Sequence, residues 1–204
     1  MYYFFPQIIP KKDCKSIINR YLKKYKGKMK EATTLNAVNW VKQKPIYDSS
    51  FRKTDVVFLE QEDEMYPMVN HYIDVANNLF FKYNIKYIEP VQFARYKCGG
   101  HYGWHQDFSP TLNGESRKLS LTMNLSDSDT YEGGRLEFFS GKDDGGYDTV
   151  TINGVTLSKE QVKESVEKQG SVIVFDSRDW HRVTPITKGI RYSIVCWTKG
   201  PNLV

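Results

Sequence analysis

The 204 residues are enough for one domain with a substantial core, because 40% of them are apolar and 14% are aromatic. No segment approaches the ~20 consecutive apolar residues that span a bilayer, and the opening Met1–Pro6 lacks the length and the basic flank of an export signal. Cys14, Cys98 and Cys196 show no CxxC spacing, which argues against a cysteine zinc site or a disulfide framework. We therefore predict a soluble protein with no membrane partner, acting in a reducing, cytoplasmic compartment.

Positive charge is concentrated at the start of the chain. Residues 1–53 carry 13 Lys and Arg against 3 Asp and Glu, a net charge of +10, whereas the remainder carries 16 against 21, a net charge of −5. Such a basic segment could attract nucleic acid or an acidic protein surface. Most of its lysines, however, fall on and after a helical pattern, where lysines usually form a solvated face. We favour the solvated face, so nucleic acid is not predicted as a partner.

Helices dominate the pattern before residue 90. After Pro10, apolar residues recur at helical spacing, and Gly27 supplies a stop. A second amphipathic helix is predicted at Glu62–Asn84, and Val56–Leu59 between the two reads as a short strand. We predict that residues 1–90 form a helical support layer.

From Pro90 onward the pattern changes to short β-rich runs separated by Gly, Asp, Ser and Asn. Strands are predicted at Val91–Cys98, Lys118–Leu125, Arg135–Phe139, Ser171–Asp176 and Ile190–Thr198. Thr149–Ile152 and Val155–Leu157 flank Asn153-Gly154, a two-residue hairpin signal, and a short helix is predicted at Ser158–Lys168. Many short antiparallel strands without crossover helices favour a sandwich, a jelly roll or a barrel.

A metal site is predicted from an HxD pair and a later histidine. His105 and Asp107 come just past the end of a predicted strand, where side chains at i and i+2 point to the same side. His181 follows the apolar strand Val172–Phe175 and so lies at a comparable strand end. Two histidines and one carboxylate on one face of a metal leave three positions open, as non-haem Fe(II) oxygenases require. Zinc accepts the same ligands but normally keeps one open position, so a co-substrate pocket distinguishes the two metals.

That co-substrate pocket is predicted around an arginine. Arg191 lies ten residues beyond His181 on the next strand, across a predicted turn at Thr187–Ile190. A buried guanidinium matches a carboxylate with two parallel hydrogen bonds, so Arg191 could anchor one end of a dicarboxylic 2-oxo acid while the other end reaches the metal. Tyr96 on the preceding strand could add a phenolic hydrogen bond. Each residue alone could be structural, and the prediction depends on the set.

Four segments of the chain resemble the Fe(II)/2-oxoglutarate oxygenases of the prolyl 4-hydroxylase type, most closely the bacterial and phage PKHD-type hydroxylases. They are Tyr96 with His105-Gln-Asp107, Leu125–Leu136 with its Gly133-Gly134 pair, Gly170–Phe175 and His181–Arg191. The resemblance covers about residues 90–199, and the preceding helices more loosely. It implies a mainly β fold with α: a double-stranded β-helix, or jelly-roll, catalytic core at residues 91–199 with supporting N-terminal helices.

The resemblance also implies residue roles. His105, Asp107 and His181 match the iron ligands, Arg191 matches the 2-oxoglutarate anchor, and Tyr96 matches a tyrosine that contacts the co-substrate. The implied cofactors are Fe(II), with 2-oxoglutarate and O₂ as co-substrates and ascorbate as reductant. The implied reaction hydroxylates a proline-containing peptide while 2-oxoglutarate is decarboxylated to succinate, in the cytoplasm of a bacterium or of a phage-infected host.

Further positions bear on the substrate and the co-substrate. Tyr102, Arg117 and Trp197 match residues that line the approach of the target proline in prolyl hydroxylases, and aromatic faces suit its apolar ring. Asn124 stands where many prolyl hydroxylases have a tyrosine near the co-substrate, and it could donate a similar hydrogen bond. Residues 140–169 are predicted to be an insertion near the mouth that shapes substrate choice.

Two alternatives stay open. The same chemistry could act on a nucleic-acid base, a free amino acid or a small metabolite. Base repair, however, calls for a basic groove and a stacking platform, and the basic segment lies far in sequence from the predicted catalytic half. The chain could also be an inactive jelly-roll binding module, although the joint presence of three metal ligands and Arg191 argues against this.

Overall fold

Two helices and sixteen strands make up the part of the chain that the computed structural model describes, residues 2–33, 48–108, 114–139, 149–152, 155–158 and 166–202. The strands are β1 (Tyr2–Phe5), β2 (Lys30–Glu31), β3 (Arg52–Lys53), β4 (Asp55–Phe58), β5 (Tyr87–Ile88), β6 (Gln92–Tyr96), β7 (His101–His105), β8 (Glu115–Asn124), β9 (Tyr131–Gly133), β10 (Leu136–Phe138), β11 (Thr149–Ile152), β12 (Val155–Ser158), β13 (Val172–Asp176), β14 (His181–Val183), β15 (Ile186–Gly189) and β16 (Arg191–Pro201). The helices are α1 (Lys11–Lys24) and α2 (Met65–Ala76), and a π-helical turn follows α2 at Asn77–Phe81. None of the described helices has the length and apolar character needed to cross a membrane.

Both helices that the apolar spacing predicts are present, but the second is shorter than predicted. It ends at Ala76 rather than at Asn84. The π-helical turn continues the chain to Phe81. The chain then leaves the helical path, because Lys82 adopts a left-handed φ of 60° and the side-chain amide of Asn77 hydrogen-bonds both backbone groups of Tyr83. These side-chain bonds offer the backbone an alternative to the helical ladder.

The strands form two main sheets, and every strand pair in the described residues is antiparallel. The larger sheet has the order β1-β13-β8-β16-β6-β4-β2, with β5 paired to β16, and the smaller sheet has the order β10-β14-β7-β3. β9 and β15 form a separate ribbon, and β11 pairs with β12 as the predicted hairpin. The helix predicted at Ser158–Lys168 lies mostly outside the described residues. The mainly β architecture with antiparallel strands and two helices is confirmed.

The first 90 residues supply strands as well as helices. β1 pairs with β13 at one edge of the larger sheet, while β4 and β2 extend the opposite edge. β3 joins the smaller sheet by pairing with β7. The segment predicted as a helical support layer therefore also provides sheet edges. Strands of two residues, such as Lys30–Glu31, are too short to show a hydrophobic period, so the sequence does not predict them.

The larger sheet buries side chains on both faces. One face packs against α1 and α2, and the other meets the smaller sheet, where Phe138 of β10 and Phe175 of β13 contact edge-on at 4.9 Å between centroids. Strand alternation assigns residues to the two faces. On β16, Ile194 belongs to the helix-side core, whereas Val195 lines a cavity between the sheets. The two-sheet arrangement thus creates the space in which the functional residues lie.

Gly133 and Gly134 allow β9 to turn into β10 beside this cavity. Both have positive φ, +78° and +65°. A Cβ at Gly133 would overlap the carbonyl oxygen of Pro185, and a Cβ at Gly134 would overlap the side chain of Ile186 and lie 3.2 Å from Cδ of Arg191. The turn therefore requires glycine for its conformation and for close approach, and Gly134 leaves room for Arg191.

Replacing Gly133 by alanine is expected to destabilise the fold more than the same change at Gly27. Gly27 also has a positive φ, but nothing lies within 4 Å of a Cβ added there, so Gly27→Ala costs only the left-handed strain of about 1–2 kcal/mol. Gly133→Ala adds a collision with backbone, for which we expect a further loss of about 2 kcal/mol or more. Equilibrium urea unfolding measures both variants. Equal losses would mean that the collision is relieved at no cost.

Candidate metal centre and its cavity

Two paired strands of the smaller sheet bring the HxD pair and the later histidine together. His105 ends β7, Asp107 follows two residues later, and His181 begins β14 as the direct cross-strand partner of His105. The sequence places His181 at the end of a strand, and this detail is wrong. A turn closed by a 2.9 Å hydrogen bond from Asp179 N to Asp176 O separates it from β13, so His181 starts the next strand.

The three side chains converge on one point. One nitrogen of each histidine and one oxygen of Asp107 all lie within 4.8 Å of one another. Nε2 of His105 and Nε2 of His181 lie 3.5 and 3.4 Å from the two carboxylate oxygens. All three residues are buried. A cluster of this composition and spacing can hold a divalent metal ion.

Backbone carbonyls orient both imidazoles for metal binding. Nδ1 of His105 lies 2.7 Å from the carbonyl oxygen of Gly103, and Nδ1 of His181 lies 2.9 Å from that of Asp179. A carbonyl oxygen can only accept a hydrogen bond, so each Nδ1 must be the donor. In the neutral rings this leaves the lone pair of each Nε2 free for a metal.

Electrostatics prepare the cluster for a cation. Burial by itself raises the pKa of Asp107, but the charges and hydrogen bonds of His181 and His105 outweigh burial and hold that pKa well below its usual range. Burial lowers the pKa of His105. Burial also disfavours the charged form of His181, but Asp107 overcomes this and raises its pKa. Asp107 is therefore ionised at neutral pH, and metal binding competes with a proton at His181.

A buried serine that no sequence pattern marks holds the Asp107 carboxylate in place, and a second buried serine contacts the first. Ser120 on β8 donates from Oγ to Oδ2 of Asp107 at 2.7 Å, and Oγ of Ser177 lies 3.0 Å from Oγ of Ser120. Both serines are almost fully inaccessible to solvent. Partners of this kind fix the direction in which a ligand presents its oxygens.

Removing the Ser120 hydroxyl is expected to weaken metal binding without unfolding the protein. Ser120→Ala leaves the three ligands in place but frees the Asp107 carboxylate to rotate, for which we expect a loss of about 10- to 100-fold in metal affinity. Calorimetric titration of the metal-free protein with Mn(II) measures the effect. Ser128→Ala, at an exposed serine in the turn before β9, is the matched control. Equal affinities in the two variants would contradict this role for Ser120.

The three ligands line an open cavity between the sheets. Aromatic rings cover the imidazoles. Tyr102 stacks on His105 with ring centroids 3.5 Å apart, and Phe175 meets His181 edge-on at 4.7 Å. Walls of this kind keep bulk water from the ligands and strengthen electrostatic interactions inside the cavity.

Arg191 lies in the same cavity. It begins β16 directly opposite Tyr96 of β6, with its guanidinium carbon 5.6 Å from the centre of the Tyr96 ring. The segment before it, predicted as a turn at Thr187–Ile190, is largely strand β15, because it pairs with β9. Arg191 is only 5% exposed, and within the described residues no hydrogen bond or ion pair engages its guanidinium. A buried cation without a partner is costly, so a bound anion is expected beside it.

Asn124 lines a small adjoining cavity, which Arg191 also lines. Its side-chain nitrogen already donates to the carbonyl oxygen of Glu167 at 2.7 Å and approaches the hydroxyl of Tyr131 at 3.3 Å. Its Oδ1 is buried with no hydrogen-bond partner among the described residues. A hydrogen bond from Asn124 to a co-substrate, as predicted, would compete with these bonds. Tyr131 lines the same cavity and is a second residue that could contact a ligand there.

Of the three residues predicted to meet a substrate, Tyr102 and Trp197 line the cavity. Arg117 lies behind this lining, with its guanidinium carbon 4.1 Å from the centre of the Trp197 ring. Arg117 forms a two-pronged ion pair with Glu89 at 2.9 and 2.6 Å, and its Nη1 lies 3.4 Å from the carbonyl oxygen of Asp107. Burial raises the pKa of Tyr102 to about 12, so its hydroxyl is neutral at physiological pH.

Arg52 is a cavity residue that the sequence does not single out. It lies on β3 opposite Tyr102 of β7, and its guanidinium carbon is 4.5 Å from the centre of the Tyr102 ring. A two-residue strand has no hydrophobic period, and Arg52 belongs to a segment rich in basic residues, so no signal separates it from its neighbours. Glu89, which holds Arg117, likewise lies outside the sequence motifs.

Comparison with known proteins agrees with this geometry. The family model described as the 2OG-Fe(II) oxygenase superfamily matches residues 91–199. A PKHD-type hydroxylase of Thermosynechococcus vestitus is 30% identical over 181 aligned residues, covering 81% of this chain and 73% of that protein. A PKHD-type hydroxylase of Synechococcus sp. strain CC9605 is 34% identical over 116 residues, covering 57% of this chain and 44% of that protein. The chain therefore spans less than half the length of this second relative.

A solved structure matches the fold over almost the whole chain. A prolyl hydroxylase from Trichoplax adhaerens, in complex with a hypoxia inducible factor oxygen degradation domain peptide fragment, superposes with a TM-score of 0.68 at 16% identity, covering 97% of this chain and 82% of that one. This likeness confirms the predicted jelly-roll fold. With the family model covering more than half of the sequence and the relative from Thermosynechococcus aligned over most of both proteins, this chain belongs to the 2OG-Fe(II) oxygenase superfamily, and Fe(II) and 2-oxoglutarate are its metal and co-substrate.

Proposed function

We propose that this chain is an Fe(II)- and 2-oxoglutarate-dependent dioxygenase that hydroxylates peptidyl proline. The observation that carries the proposal is the guanidinium of Arg191, which is buried in the cavity lined by His105, Asp107 and His181 and has no hydrogen-bond or ion-pair partner among the residues that the structure describes. A metal cluster alone would equally suit a zinc hydrolase. A hydrolase does not require a buried cation beside its metal, whereas a dicarboxylic co-substrate does.

In the proposed complex, Nε2 of His105, Nε2 of His181 and the carboxylate of Asp107 would hold Fe(II). The residues fit this role because both Nδ1 atoms are committed to backbone carbonyls and because the pKa of Asp107 is held low. Three ligands on one side of the ion leave room for a chelating co-substrate and for O₂.

The same proposal assigns the distal carboxylate of 2-oxoglutarate to Arg191. Two parallel hydrogen bonds from the guanidinium would satisfy both oxygens and neutralise the buried charge. Tyr96, directly across the strand pair, is proposed to add a phenolic hydrogen bond. Asn124 is proposed to contact the co-substrate from the adjoining cavity, together with Tyr131.

When bound, Fe(II) and 2-oxoglutarate supply the oxidising power: O₂ is consumed, 2-oxoglutarate becomes succinate and CO₂, and one C–H bond of the substrate becomes C–OH. The residues of the chain contribute position and exclusion of water. Ser120 holds the Asp107 carboxylate, and the rings of Tyr102 and Phe175 cover the imidazoles. Such shielding protects a reactive centre from side reactions with water.

A peptidyl proline is the proposed target because aromatic side chains line the same cavity as the metal ligands. Tyr102 and Trp197 belong to this lining, and aromatic side chains suit the apolar, rigid pyrrolidine ring. Arg117, held by Glu89, already directs one N–H towards a backbone carbonyl and could hold a carbonyl of the bound peptide in the same way. The peptide complex of the Trichoplax prolyl hydroxylase, which shares the fold, supports a peptide substrate.

The test is succinate release by protein supplied with Fe(II), 2-oxoglutarate, O₂ and ascorbate as reductant, across a panel of proline-containing peptides. We expect release that depends on the peptide and a gain of one oxygen atom in its mass. Absence of 2-oxoglutarate binding, together with no effect of Arg191→Ala, would overturn the mechanism. Succinate release with methylated oligonucleotides, free amino acids or small metabolites instead of peptides would overturn only the prolyl substrate.

We further propose that the 204 residues act as a single oxygenase domain. Residues 91–199 form its catalytic core, residues 1–90 its support layer, and the insertion at residues 140–169 shapes substrate choice. The proposed compartment is the cytoplasm, which is compatible with the free thiols of all three cysteines.

A further inference from the structure

The three arginines around the cavity differ in what neutralises them. Arg117 is paired with Glu89 through two short hydrogen bonds, and Arg191 is assigned above to 2-oxoglutarate. Arg52 has neither kind of partner. It is 7% exposed, its Nε is buried with no hydrogen-bond partner, and no ion pair engages it within the described part of the chain.

Charge balance in the proposed loaded site leaves Arg52 uncompensated. The two positive charges of Fe(II) and the charge of Arg191 are balanced by Asp107 and by the two carboxylates of 2-oxoglutarate. Outside the cavity lining, Arg117 pairs with Glu89, which Lys199 also approaches at 3.7 Å. Among the Arg and Asp side chains that line the described cavity, Arg52, Asp107 and Arg191, only Arg52 is then left without an opposite charge. A buried cation that stays unpaired is unfavourable, so an anion is expected to arrive with the substrate.

Tyr102 places this spare charge next to the metal ligands. Its ring centroid is 3.5 Å from that of His105 and 4.5 Å from the guanidinium carbon of Arg52. Arg52 and Tyr102 are also direct cross-strand partners, so their relative position is fixed by the sheet register. One tyrosine side chain therefore connects the guanidinium to the ligand set, and Arg52 lines the same cavity as the three ligands.

We propose that Arg52 is a specificity residue that binds a carboxylate of the substrate, so that the enzyme prefers proline beside an acidic group. A guanidinium and a carboxylate match in shape and charge, and the pair would be shielded from water. The carboxylate has two possible sources, the side chain of a neighbouring Asp or Glu and the free α-carboxylate of a carboxyl-terminal proline. This inference rests on the proposed function and names the substrate class within it.

Matched peptides test the preference in the wild-type enzyme. One pair carries glutamate or glutamine beside a central proline, and a second pair ends in proline with a free or an amidated carboxyl group. We expect the acidic member of one pair to have a kcat/KM about 10- to 100-fold higher than its neutral partner, the range that corresponds to a charge-assisted hydrogen bond. The pair that discriminates identifies the source of the carboxylate.

Variants test whether Arg52 is the origin of the preference. Arg52→Gln should abolish the discrimination between acidic and neutral peptides. Arg52→Lys should retain part of it, because lysine keeps the positive charge but cannot donate the two parallel hydrogen bonds of a guanidinium. Arg182→Gln is the matched control, since Arg182 also stacks on an aromatic ring, Trp104 at 4.7 Å, but does not line the cavity. Calorimetric binding of 2-oxoglutarate to each Mn(II)-loaded variant should match the wild type.

Each outcome addresses a separate claim. Equal use of acidic and neutral peptides by the wild type, binding of none of the four peptides, or unchanged discrimination in Arg52→Gln would overturn the assignment of Arg52. Loss of 2-oxoglutarate binding in Arg52→Gln would also overturn it, because the residue would then serve the co-substrate. Absence of 2-oxoglutarate binding in the wild type would instead overturn the proposed function itself.

Discussion

Asp107→Asn is expected to abolish turnover and to weaken metal binding by more than about 100-fold. Loss of a residue that only orients a ligand, such as Ser120, costs about 10- to 100-fold in metal affinity, and loss of a ligand itself should cost more. The substitution preserves shape but removes the only negative charge among His105, Asp107 and His181. A neutral amide oxygen is a weaker ligand for a divalent cation than a carboxylate. Anaerobic titration of the metal-free protein with Fe(II) and the rate of succinate release measure the two effects.

A proton titration checks the electrostatic part of this argument. Burial lowers the pKa of His181, and the carboxylate of Asp107 is the largest influence that raises it. In metal-free Asp107→Asn protein, the pKa of His181 should therefore fall relative to the wild type, which NMR of the imidazole ring can follow. Asp74→Asn, at an exposed position of α2, is the control that should change neither property. Wild-type metal affinity in Asp107→Asn would show that Asp107 is not a ligand.

The second large effect is expected at Arg191. Arg191→Gln should weaken 2-oxoglutarate binding by at least about 30-fold, since truncating one member of a buried, hydrogen-bonded charge pair costs about 2 kcal/mol or more. The affinity of Arg191→Lys for 2-oxoglutarate should lie between those of the wild type and Arg191→Gln, because lysine keeps the positive charge but lacks the planar guanidinium that donates two parallel hydrogen bonds. Calorimetry on Mn(II)-loaded protein measures each affinity. Arg182→Gln again serves as a control outside the cavity and should bind 2-oxoglutarate as the wild type does.

Thermal stability, measured with and without 2-oxoglutarate, shows whether Arg191 contributes to ligand binding or to folding. Arg191 is buried with no partner among the described residues, so Arg191→Met should leave the unliganded, metal-loaded protein at least as stable as the wild type. Because 2-oxoglutarate binds only the folded state, it should raise the Tm of the wild type but not that of Arg191→Met. A strongly lowered Tm in unliganded Arg191→Met would contradict the unpaired state of this arginine.

Residues that stand in compact sequence motifs can be identified from the amino-acid sequence. His105, Asp107, His181 and Arg191 are each chemically distinctive, and their order along the chain is typical of one type of site. The structure brings all four to the same cavity. Long amphipathic patterns such as α1 are equally predictable, because helical periodicity accumulates over several turns.

Residues that act through contacts distant in sequence cannot be identified in this way. Ser120 and Ser177 support Asp107 from β8 and from the end of β13, and serines are too common for their positions to attract notice. Arg52 sits on a two-residue strand whose register with β7 is set by tertiary pairing. The exit of the chain from the helical path at Lys82, after the π-helical turn, is accompanied by side-chain bonds from Asn77 to Tyr83, which hydrophobic periodicity does not encode.

The sequence by itself therefore determined the chemistry available to this protein: two imidazoles and a carboxylate for a metal, an arginine for a carboxylate, and β-rich segments to present them. The tertiary structure decided which charges are left without partners. Glu89 neutralises Arg117, while Arg191 and Arg52 remain unpaired in the described residues. Composition fixes how many charges a chain carries, but only packing determines which of them lose water and which find an opposite charge, and a buried unpaired charge is what creates the demand for a ligand.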